Sequence, residues 1–498
     1  MTTINTNIGA ISAQANMSRV NDEFNNAMTR LSSGLRINAA KDDAAGMAIA
    51  EKMTAQIMGL NQAVRNATDG KNLVDTTEGA HVEVSSMLQR LRELAVQSAN
   101  DTNTSSDRNN LSAEGKQLIQ EINRVAKDTT FNGMNILDGS FSNKQFQIGA
   151  DAGQVLNLDV ESAAATDIGA HQIKSNVSLA ADATTAATDT GITAGTTLNI
   201  TGFAGSAEIS TTAGMSAKEL ADEINSISAS TAVRASATTK AKLSDFSAAS
   251  TVTFEVNDVS IGTVAISDTG DLRGIATAIN NQTGQTGVTA KMGEDNSEII
   301  LTDASGNDIS ITGYDTGVDD TTMDVTVLNS DETAAGATAG THTTTMTDTT
   351  SAITDAFVTG QVELTSTKLF SVGATDTTAG ESFFEAAANT SELESVAEID
   401  LSDADSAAKA LTVLDVALQK VNQARSDLGA VSNRLDSTIS NLTNITVNVE
   451  AARSGVMDAD FAKESTALAR GQILSQAATA MLAQANSSQQ NVLSLLRG

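Results

Sequence analysis

The 498-residue sequence contains no cysteine, no proline and no tryptophan, and it has a single tyrosine. Without cysteine the chain can form neither a disulfide nor a thiolate metal site, so cysteine usage leaves the redox compartment open. Proline interrupts helices because it lacks a backbone N–H donor and clashes with the preceding turn. The absence of proline is therefore compatible with long, uninterrupted helices.

Basic residues are scarce, since 30 Lys and Arg face 61 Asp and Glu for a formal net charge of −31. Phosphate contacts need clustered Lys and Arg, so we expect no nucleic-acid partner. No run of about eighteen apolar residues occurs, and we expect no membrane span. No basic residue precedes Arg19 and no apolar h-region follows it. We therefore expect no cleaved secretory signal, which leaves open export by a route that needs none.

Residues that catalysis or metal binding would need are few and scattered. The histidines are His81, His171 and His342, and none lies in an HExxH zinc pair. Neither a nucleophile elbow nor a phosphate-binding GxxxxGKS/T loop occurs. The acidic pairs at 42–43 and 319–320 lack EF-hand spacing and are interpreted as solvated loops. We expect no catalytic residue, no metal and no cofactor, so the protein is interpreted as not an enzyme.

What the sequence has instead is a heptad stripe at each end, in which small or apolar residues alternate at three- and four-residue steps. A lone helix cannot bury such a stripe, so we expect the two ends to form a helical pair that carries everything between. Two unrelated surface helices are the alternative. The predicted seam consists of Met17, Val20, Phe24, Leu31 and Leu35 in the first stripe, and Leu474, Ala478, Met481, Ala485, Val492 and Leu495 in the last.

Between the stripes, apolar residues at helical spacing predict three further long helices. These helices run from Ala44 to about Asn100, from the turn at 100–106 to about Lys127, and from Ala407 to about Val449. Breaks are predicted at 34–46 and at 453–455, with Asp42 or Asp43 capping the helix that follows the first break. Period-two alternation at 145–148 and 155–160 predicts a β-hairpin.

From about Asn176 to Asp400 the composition shifts to Thr, Ser, Ala, Gly and Asp. Residues 181–400 contain 7 basic and 32 acidic side chains, a net of −25. Residues 217–225 match 272–280 at an offset of 55, which predicts one or two small α+β modules of strand, short helix and strands. The segment 333–350 is nearly all Ala, Gly and Thr and is predicted to be a surface loop.

Several motifs together resemble the bacterial flagellins. They are LSSGLRIN at 31–38, KDDAAG at 41–46, QRLRELAVQSAN at 89–100, FNG at 131–133, DAD at 458–460 and the closing SLLR at 494–497. The resemblance covers roughly the first 160 and the last 95 residues. The middle is similar to the variable outer domains of the family.

The resemblance agrees with the patterns in implying a multidomain α+β protein, with a long α-helical coiled-coil and bundle core formed by both termini and a β-rich outer domain inserted in the middle. Residues 1–43 and 456–498 would form an inner terminal coiled coil. Residues 44–175 and 401–455 would form a helical rod with the hairpin. Residues 176–400 would form the outer domain, with the repeat near 197–312.

The function that the resemblance implies is that of a structural subunit that self-assembles into the extracellular helical filament of the bacterial flagellum, for motility. The implied partners are further copies of the chain, an export chaperone on the C-terminal helix, hook-junction and cap proteins, and host innate immune receptors. Two alternatives stay open, namely a hook–filament junction protein, which shares the terminal helices, and a surface adhesin whose inserted region binds a ligand.

Three positions match those by which an animal innate receptor recognises many flagellins, and they are Arg90, Leu94 and Glu114. The alternative is that Leu94 packs the helical shell and that Arg90 and Glu114 make polar contacts within the filament. Val492, Leu495 and Leu496 match a terminal leucine motif read by a cytosolic immune sensor, and they also fall on the predicted seam.

Overall fold

The computed structural model describes residues 6–176, 178–182, 192, 194–293, 295–330, 332, 343–348, 355–375, 382–384 and 387–497. The side chains of 178–182, 489 and 491–497 lie outside this description.

The helices of the described residues are α1 (Ile8–Ser33), α2 (Ala44–Ser98), α3 (Ser105–Asp128), α4 (Ala217–Ser226), α5 (Ser228–Thr231), α6 (Arg273–Asn281), α7 (Thr283–Thr286), α8 (Ala404–Met457) and α9 (Phe461–Arg497), with a 3₁₀ turn at Val396–Glu398.

The strands are β1 (Thr130–Phe131), β2 (Met134–Asn135), β3 (Lys144–Gln147), β4 (Val155–Leu158), β5 (Gly169–Lys174), β6 (Ser178–Asp182), β7 (Thr197–Thr201), β8 (Ser206–Ser210), β9 (Arg234–Ser244), β10 (Thr251–Val256), β11 (Val259–Ser260), β12 (Val264–Ala265), β13 (Thr289–Met292), β14 (Ile299–Asp303), β15 (Ile309–Asp315), β16 (Thr322–Leu328), β17 (Thr343–Thr347), β18 (Asp355–Thr359), β19 (Gln361–Ser366), β20 (Ser371–Ala374), β21 (Asn389–Thr390) and β22 (Glu392–Ser395).

The chain forms two compact units. One contains residues 1–76, 142–159 and 427–498, and the other contains 77–141 and 160–426. The long helices α2 and α8, of 55 and 54 residues, contribute to both units. The helical ends and the β-rich middle confirm the predicted fold class. The division into an inner terminal coiled coil, a helical rod and an outer domain stays a prediction.

In the first unit, local hydrogen bonds explain where α2 begins. The Asp43 carboxylate accepts the backbone N–H of Gly46 at 2.9 Å, which caps the first turn of α2 as predicted. Asp42 instead accepts the N–H groups of Asn38 and Ala39, at 3.1 and 2.9 Å, and holds the preceding turn. These two bonds, first that of Ala39, lower the pKa of Asp42.

The predicted break at 453–455 is wrong, because α8 continues through Gly455 to Met457. A single glycine within a helix costs about 1 kcal/mol relative to alanine, too little to end a helix of this length. The chain turns at 458–460 instead. There the Asp460 carboxylate accepts the N–H of Ala462 at 2.9 Å and so begins α9.

The predicted β-hairpin is confirmed, since β3 and β4 pair antiparallel with Phe146 opposite Leu156. Leu156 is buried, and the ring of Phe146 lies against Gly70 of α2, where an added Cβ would meet it at 3.4 Å. The alternating strand pattern thus supplies one apolar face for the helices of its unit.

The second unit combines the helical segments with three larger sheets. An eight-stranded sheet is organised around the eleven-residue strand β9, which pairs antiparallel with β14, β16 and β19. A six-stranded sheet contains β10, β15 and β18, and a four-stranded sheet runs in the order β21, β20, β7 and β8. Two apolar clusters form between these sheets and the short helices. One includes α6 and lies around Phe254 and Ile279, and the other includes α4 and lies around Leu220 and Phe384.

The predicted repeat is confirmed, because α4 and α6 occupy equivalent places 55 residues apart. In both repeats an asparagine near the helix end binds the backbone of a strand residue through its amide. Asn225 accepts the N–H of Ala235 at 3.0 Å and donates to its carbonyl at 2.8 Å. Asn280 makes the same two bonds to Ala290, at 2.7 and 2.8 Å.

The predicted loop at 333–350 is wrong for residues 343–347, which form β17 and pair with β16. Thr344 and Met346 are buried on one face of this strand while Thr343 and Thr345 point outward. β-branched residues in alternation fit a pleated strand, and composition alone concealed that pattern. Residues 333–342 and 349–350 of the prediction lie outside the described part of the chain.

Candidate assembly surfaces

The two chain ends pack together as an antiparallel helical pair, α1 with α9. The Asn7 side chain donates to the Ala485 carbonyl at 3.4 Å, and at the other end of the pair Arg30 meets the Glu464 carboxylate at 3.4 Å. Between these contacts, Ser475 and Asn21 are 3.5 Å apart through their side-chain oxygens. The pairing that the two heptad stripes predicted is therefore present within one chain.

On α1, the covered side is the predicted one. Met17, Val20, Phe24 and Leu31 are half-buried at heptad spacing, and Ala27 between them is buried. Leu35 lies just beyond the helix, where it forms an isolated antiparallel bridge with Asp458. The large side chains of the pair thus come from α1.

On α9, the covered side consists mainly of small residues. Glu464 and Gly471 are buried, and Leu468, Ser475, Ala478, Leu482 and Ala485 are half-buried. A Cβ added to Gly471 would lie 3.3 Å from the Cβ of Phe24. Small residues allow two helix backbones to approach closely, so the bulky stripe of α1 packs into a shallow stripe of α9.

Two predicted seam residues are not placed between the helices. Leu474 and Met481 are 38% and 66% exposed, one residue before Ser475 and Leu482 of the covered stripe. At these two turns the contact uses the next residue, Ser475 or Leu482, whereas the predicted Ala478 and Ala485 do lie in the covered stripe. As contacts between subunits, Leu474 and Met481 stay predictions. The side chains of Val492 and Leu495 lie outside the described residues.

The pair also presents apolar side chains to solvent. Besides Met481, the exposed large apolar residues of the two helices are Ile8, Ile11, Met28, Phe461, Ile473 and Leu474. Large exposed apolar patches mark surfaces that bind partners, and these side chains are the apolar ones that the pair could offer to a partner. We call this set the outer stripe.

A short strap holds the base of the pair. The backbone N–H of Arg36 donates to the Met457 carbonyl at 2.6 Å, and its guanidinium donates to the Val456 carbonyl at 2.6 Å. Gly34 ends α1 with φ of 71°, a left-handed conformation that favours glycine. The residues 34–36 and 456–459 therefore form the strap, which sequence reasoning described only as a pair of breaks.

In the other unit, two of the three residues of the predicted receptor site come together. The Arg90 guanidinium binds the Glu114 carboxylate at 2.8 Å and Glu93 at 2.9 Å, and these hydrogen bonds raise the pKa of Arg90, first through Glu93. The side chains of Arg90 and Glu114 are both about half exposed. Leu94 is only 1% exposed, so its side chain is not on the surface that the ion pair occupies.

The same unit contains a buried histidine that the sequence did not single out for a role. His81 of α2 is 2% exposed, and neither ring nitrogen has a hydrogen-bond partner among the described residues. Burial first, then the nearby Arg425 guanidinium, lowers the pKa of His81 to about 4, so the ring is neutral at pH 7. Arg425 itself binds Glu78 of α2 at 2.9 Å.

The remaining histidines show no shared site. Burial and, second, Lys420 lower the pKa of His171, which lies in β5, and His342 lies outside the described residues. Within the described ranges, no group of three metal-ligating side chains converges. No helix in that part of the chain is long and apolar enough to cross a membrane.

Comparisons with known proteins place this geometry in a family. The family model of the bacterial flagellin N-terminal helical region matches residues 4–142, and that of the C-terminal helical region matches 411–496. The flagellin hook IN motif matches 197–249 and 251–305, the two halves of the repeat.

Curated relatives match along the whole chain. B-type flagellin of Pseudomonas aeruginosa is 38% identical over 499 residues, and flagellin of Salmonella typhimurium is 34% identical over 530 residues. Each alignment covers 99% of this chain and 99% of the relative. Among solved structures, FliC from Burkholderia pseudomallei is 20% identical with a TM-score of 0.29, covering 73% of this chain and 99% of that one.

Helical ends that pair, an inserted β-rich region and these matches define the class of the protein, a structural subunit of a flagellar filament. The chain belongs to the bacterial flagellin family. A hook-associated protein of Legionella pneumophila is 12% identical with a TM-score of 0.36, covering 82% of this chain and 98% of that one.

Proposed function

We propose that the outer stripe of the α1–α9 pair is the surface through which copies of the chain join into the filament. The observation that supports the proposal is that the covered stripe is already filled by partners from the same chain, whereas large apolar residues such as Met481 and Ile473 face solvent. Fully burying a side chain of this kind contributes roughly 1.5–3 kcal/mol. Contacts that repeat head to tail without closing produce an open helical fibre.

The test is a charge on the outer stripe. Met481→Glu would bury an unpaired carboxylate between subunits, so seeded polymerisation should fall at least tenfold while the monomer keeps its circular dichroism. Gln476→Glu is the control, because Gln476 is an exposed polar residue of the same helix and belongs to neither stripe. Normal filaments from Met481→Glu, measured by light scattering and negative-stain microscopy, would exclude the outer stripe as the assembly surface.

The proposed export chaperone binds α9 through the same outer stripe. Before assembly the outer stripe of α9 exposes Phe461 and Met481, and a chaperone that covers them would keep the exported monomer from polymerising. Binding of the purified cognate chaperone to the full chain should weaken in Met481→Glu and remain in Gln476→Glu. Equal binding of both variants would place the chaperone elsewhere. Export without a cleaved signal, and contacts with hook-junction and cap proteins, belong to the same proposal.

Recognition by an innate immune receptor is assigned to the Arg90–Glu114 pair at the surface. Because Leu94 is buried, its role in this proposal is to pack α2 beneath the pair. Arg90→Ala should weaken binding of a purified receptor ectodomain, whereas Arg124→Ala should not, since Arg124 makes a similar exposed ion pair with Glu121 elsewhere on α3. Equal affinities for the two variants would remove Arg90 from the site. The proposal includes no catalytic activity.

A further inference from the structure

An open cavity of about 470 Å³ lies in the first unit, beside the strap. Three methionines line it, Met47 and Met58 of α2 and Met457 at the end of α8, together with Leu35 and Ile37. Met58 is 67% exposed, and the other two methionines are half-buried. Asn38, Glu51 and Thr54 also line the cavity, which therefore places three of the fourteen methionines of the chain around one solvent-accessible space of mixed lining.

The chemistry of these side chains is unusual in a chain that has no cysteine and no tryptophan, because the thioether is then its most readily oxidised group. A methionine sulfur attacks one oxygen of a peroxide, so that an S–O bond forms and the O–O bond breaks. The sulfur loses two electrons, and the second oxygen leaves as water. The product, a sulfoxide, is polar and carries one more oxygen than the thioether, so it packs poorly against Leu35 and Ile37 of the lining.

Because the cavity lies beside the strap, oxidation of its methionines would affect the strap. The carbonyl of Met457 accepts the N–H of Arg36, and Leu35, which also lines the cavity, bridges to Asp458. The residues that would be displaced by a buried sulfoxide are thus the residues of the strap, from which α1 and α9 extend. Loosening the strap lets the pair move and removes the fixed geometry that repeated contacts between subunits need.

We propose that Met47, Met58 and Met457 form an oxidation site at which a peroxide produces sulfoxides, loosens the strap and weakens filament assembly. The link to assembly rests on the function proposed above, while the formation of the sulfoxides and the loosening of the strap do not.

The test treats the full chain with hydrogen peroxide and follows sulfoxide formation by peptide mass spectrometry. Met58 should oxidise at least as fast as Met134, a 46% exposed methionine of the other unit. Treated protein should then elongate filament seeds at least threefold more slowly than untreated protein. The variant Met47→Leu/Met58→Leu/Met457→Leu should assemble normally and should lose less of its elongation rate on treatment than the parent, since its outer-stripe methionines are still oxidised. The control Met134→Leu, which removes an exposed methionine of the other unit, should remain as sensitive as the parent.

A triple variant that loses as much activity on treatment as the parent overturns the proposal, and so does a chain in which Met134 is oxidised and the three cavity methionines are not. Untreated parent that fails to elongate seeds contradicts the proposed function instead. In that case tryptic cleavage at Arg36 and Lys41 of the monomer decides. Faster cleavage of the treated parent but not of the treated triple variant supports the oxidation site, and equal cleavage of the two overturns it.

Discussion

The terminal helix pair and the β-rich insert are stabilised in different ways. In the insert, Phe254, Ile279 and Leu301 are at most 1% exposed within a closed cluster of sheets and helix. In the pair, Met17, Phe24 and Leu482 are only half-buried. Hydrophobic stabilisation scales with the apolar area removed from water. The insert is therefore complete as a folded structure in one chain, whereas the pair leaves several large apolar side chains exposed in one chain.

The largest effect is expected in the insert core. Phe254→Ala removes a buried ring and leaves a cavity, so the insert should lose about 3–5 kcal/mol of stability, read as a lower melting temperature in calorimetry. Phe203→Ala is the matched control, because the Phe203 ring is 56% exposed. A small loss from Phe254→Ala, similar to that of the control, would mean that the insert is as loosely packed as the pair.

A pH dependence separates the helical part of the second unit from the pair. The pKa of His81 is about 4 in the folded state and near 6.5 when unfolded, so between these values the unfolded state binds more protons. Stability should be fully present above pH 6.5 and fall by about 3 kcal/mol as the pH falls to 4. His81→Met should flatten this slope, as measured by denaturant unfolding at several pH values. An unchanged slope would assign the acid sensitivity to other groups.

Two glycines, Gly34 in the strap and Gly455 next to it in α8, should change the stability of the first unit in opposite directions when each is replaced by alanine. Gly34→Ala forces alanine into a left-handed conformation and should destabilise the first unit by about 1 kcal/mol. Gly455→Ala lies inside α8 with open space around its added Cβ, and it should stabilise the helix by about 0.5–1 kcal/mol. Thermal unfolding followed at 222 nm measures both. A shift of the same sign in the two variants would contradict the assigned backbone roles.

The smallest effect is expected at the asparagine amides of the repeat. Asn280→Ala leaves the N–H and carbonyl of Ala290 without that partner, and because Asn280 is exposed, water replaces much of the lost bonding. We expect a loss of about 0.5 kcal/mol in the calorimetric transition of the insert. Asn225→Ala should cost a similar amount. A loss at one position alone would show that the two halves of the repeat differ in how they hold the helix.

The sequence patterns predicted the helices and strands better than they predicted which residues contact one another. The heptad spacing located α1 and its covered residues because large side chains such as Phe24 and Leu31 produce a strong signal. On α9 the same reasoning located Ala478 and Ala485 but selected Leu474 and Met481 where Ser475 and Leu482 are covered, since residues such as Gly471 and Ser475 give no hydrophobic signal. For Leu94 the resemblance implied a place in a receptor site and the alternative was packing in the helical shell, and its side chain is buried.

The sheets show a second limit of the sequence. Alternation predicted the β-hairpin and the repeat predicted modules of strands and short helices, but neither predicted that β9 would pair with β14, β16 and β19, which are distant in the chain. Such pairing depends on register between separate segments rather than on local propensity. The prediction of a break at 453–455 was wrong because one glycine weakens a helix only slightly, compared with the packing of a long helix.

Hydrogen exchange of the monomer and the seeded filament tests the central claim most directly. If the pair completes its burial by assembly, amides of 8–33 and 461–488 should gain at least tenfold protection in the filament, while those of β9 and β14 stay as protected as in the monomer. Equal protection of the terminal helices in both states would contradict the account, since the pair would then be as complete in one chain as the insert is.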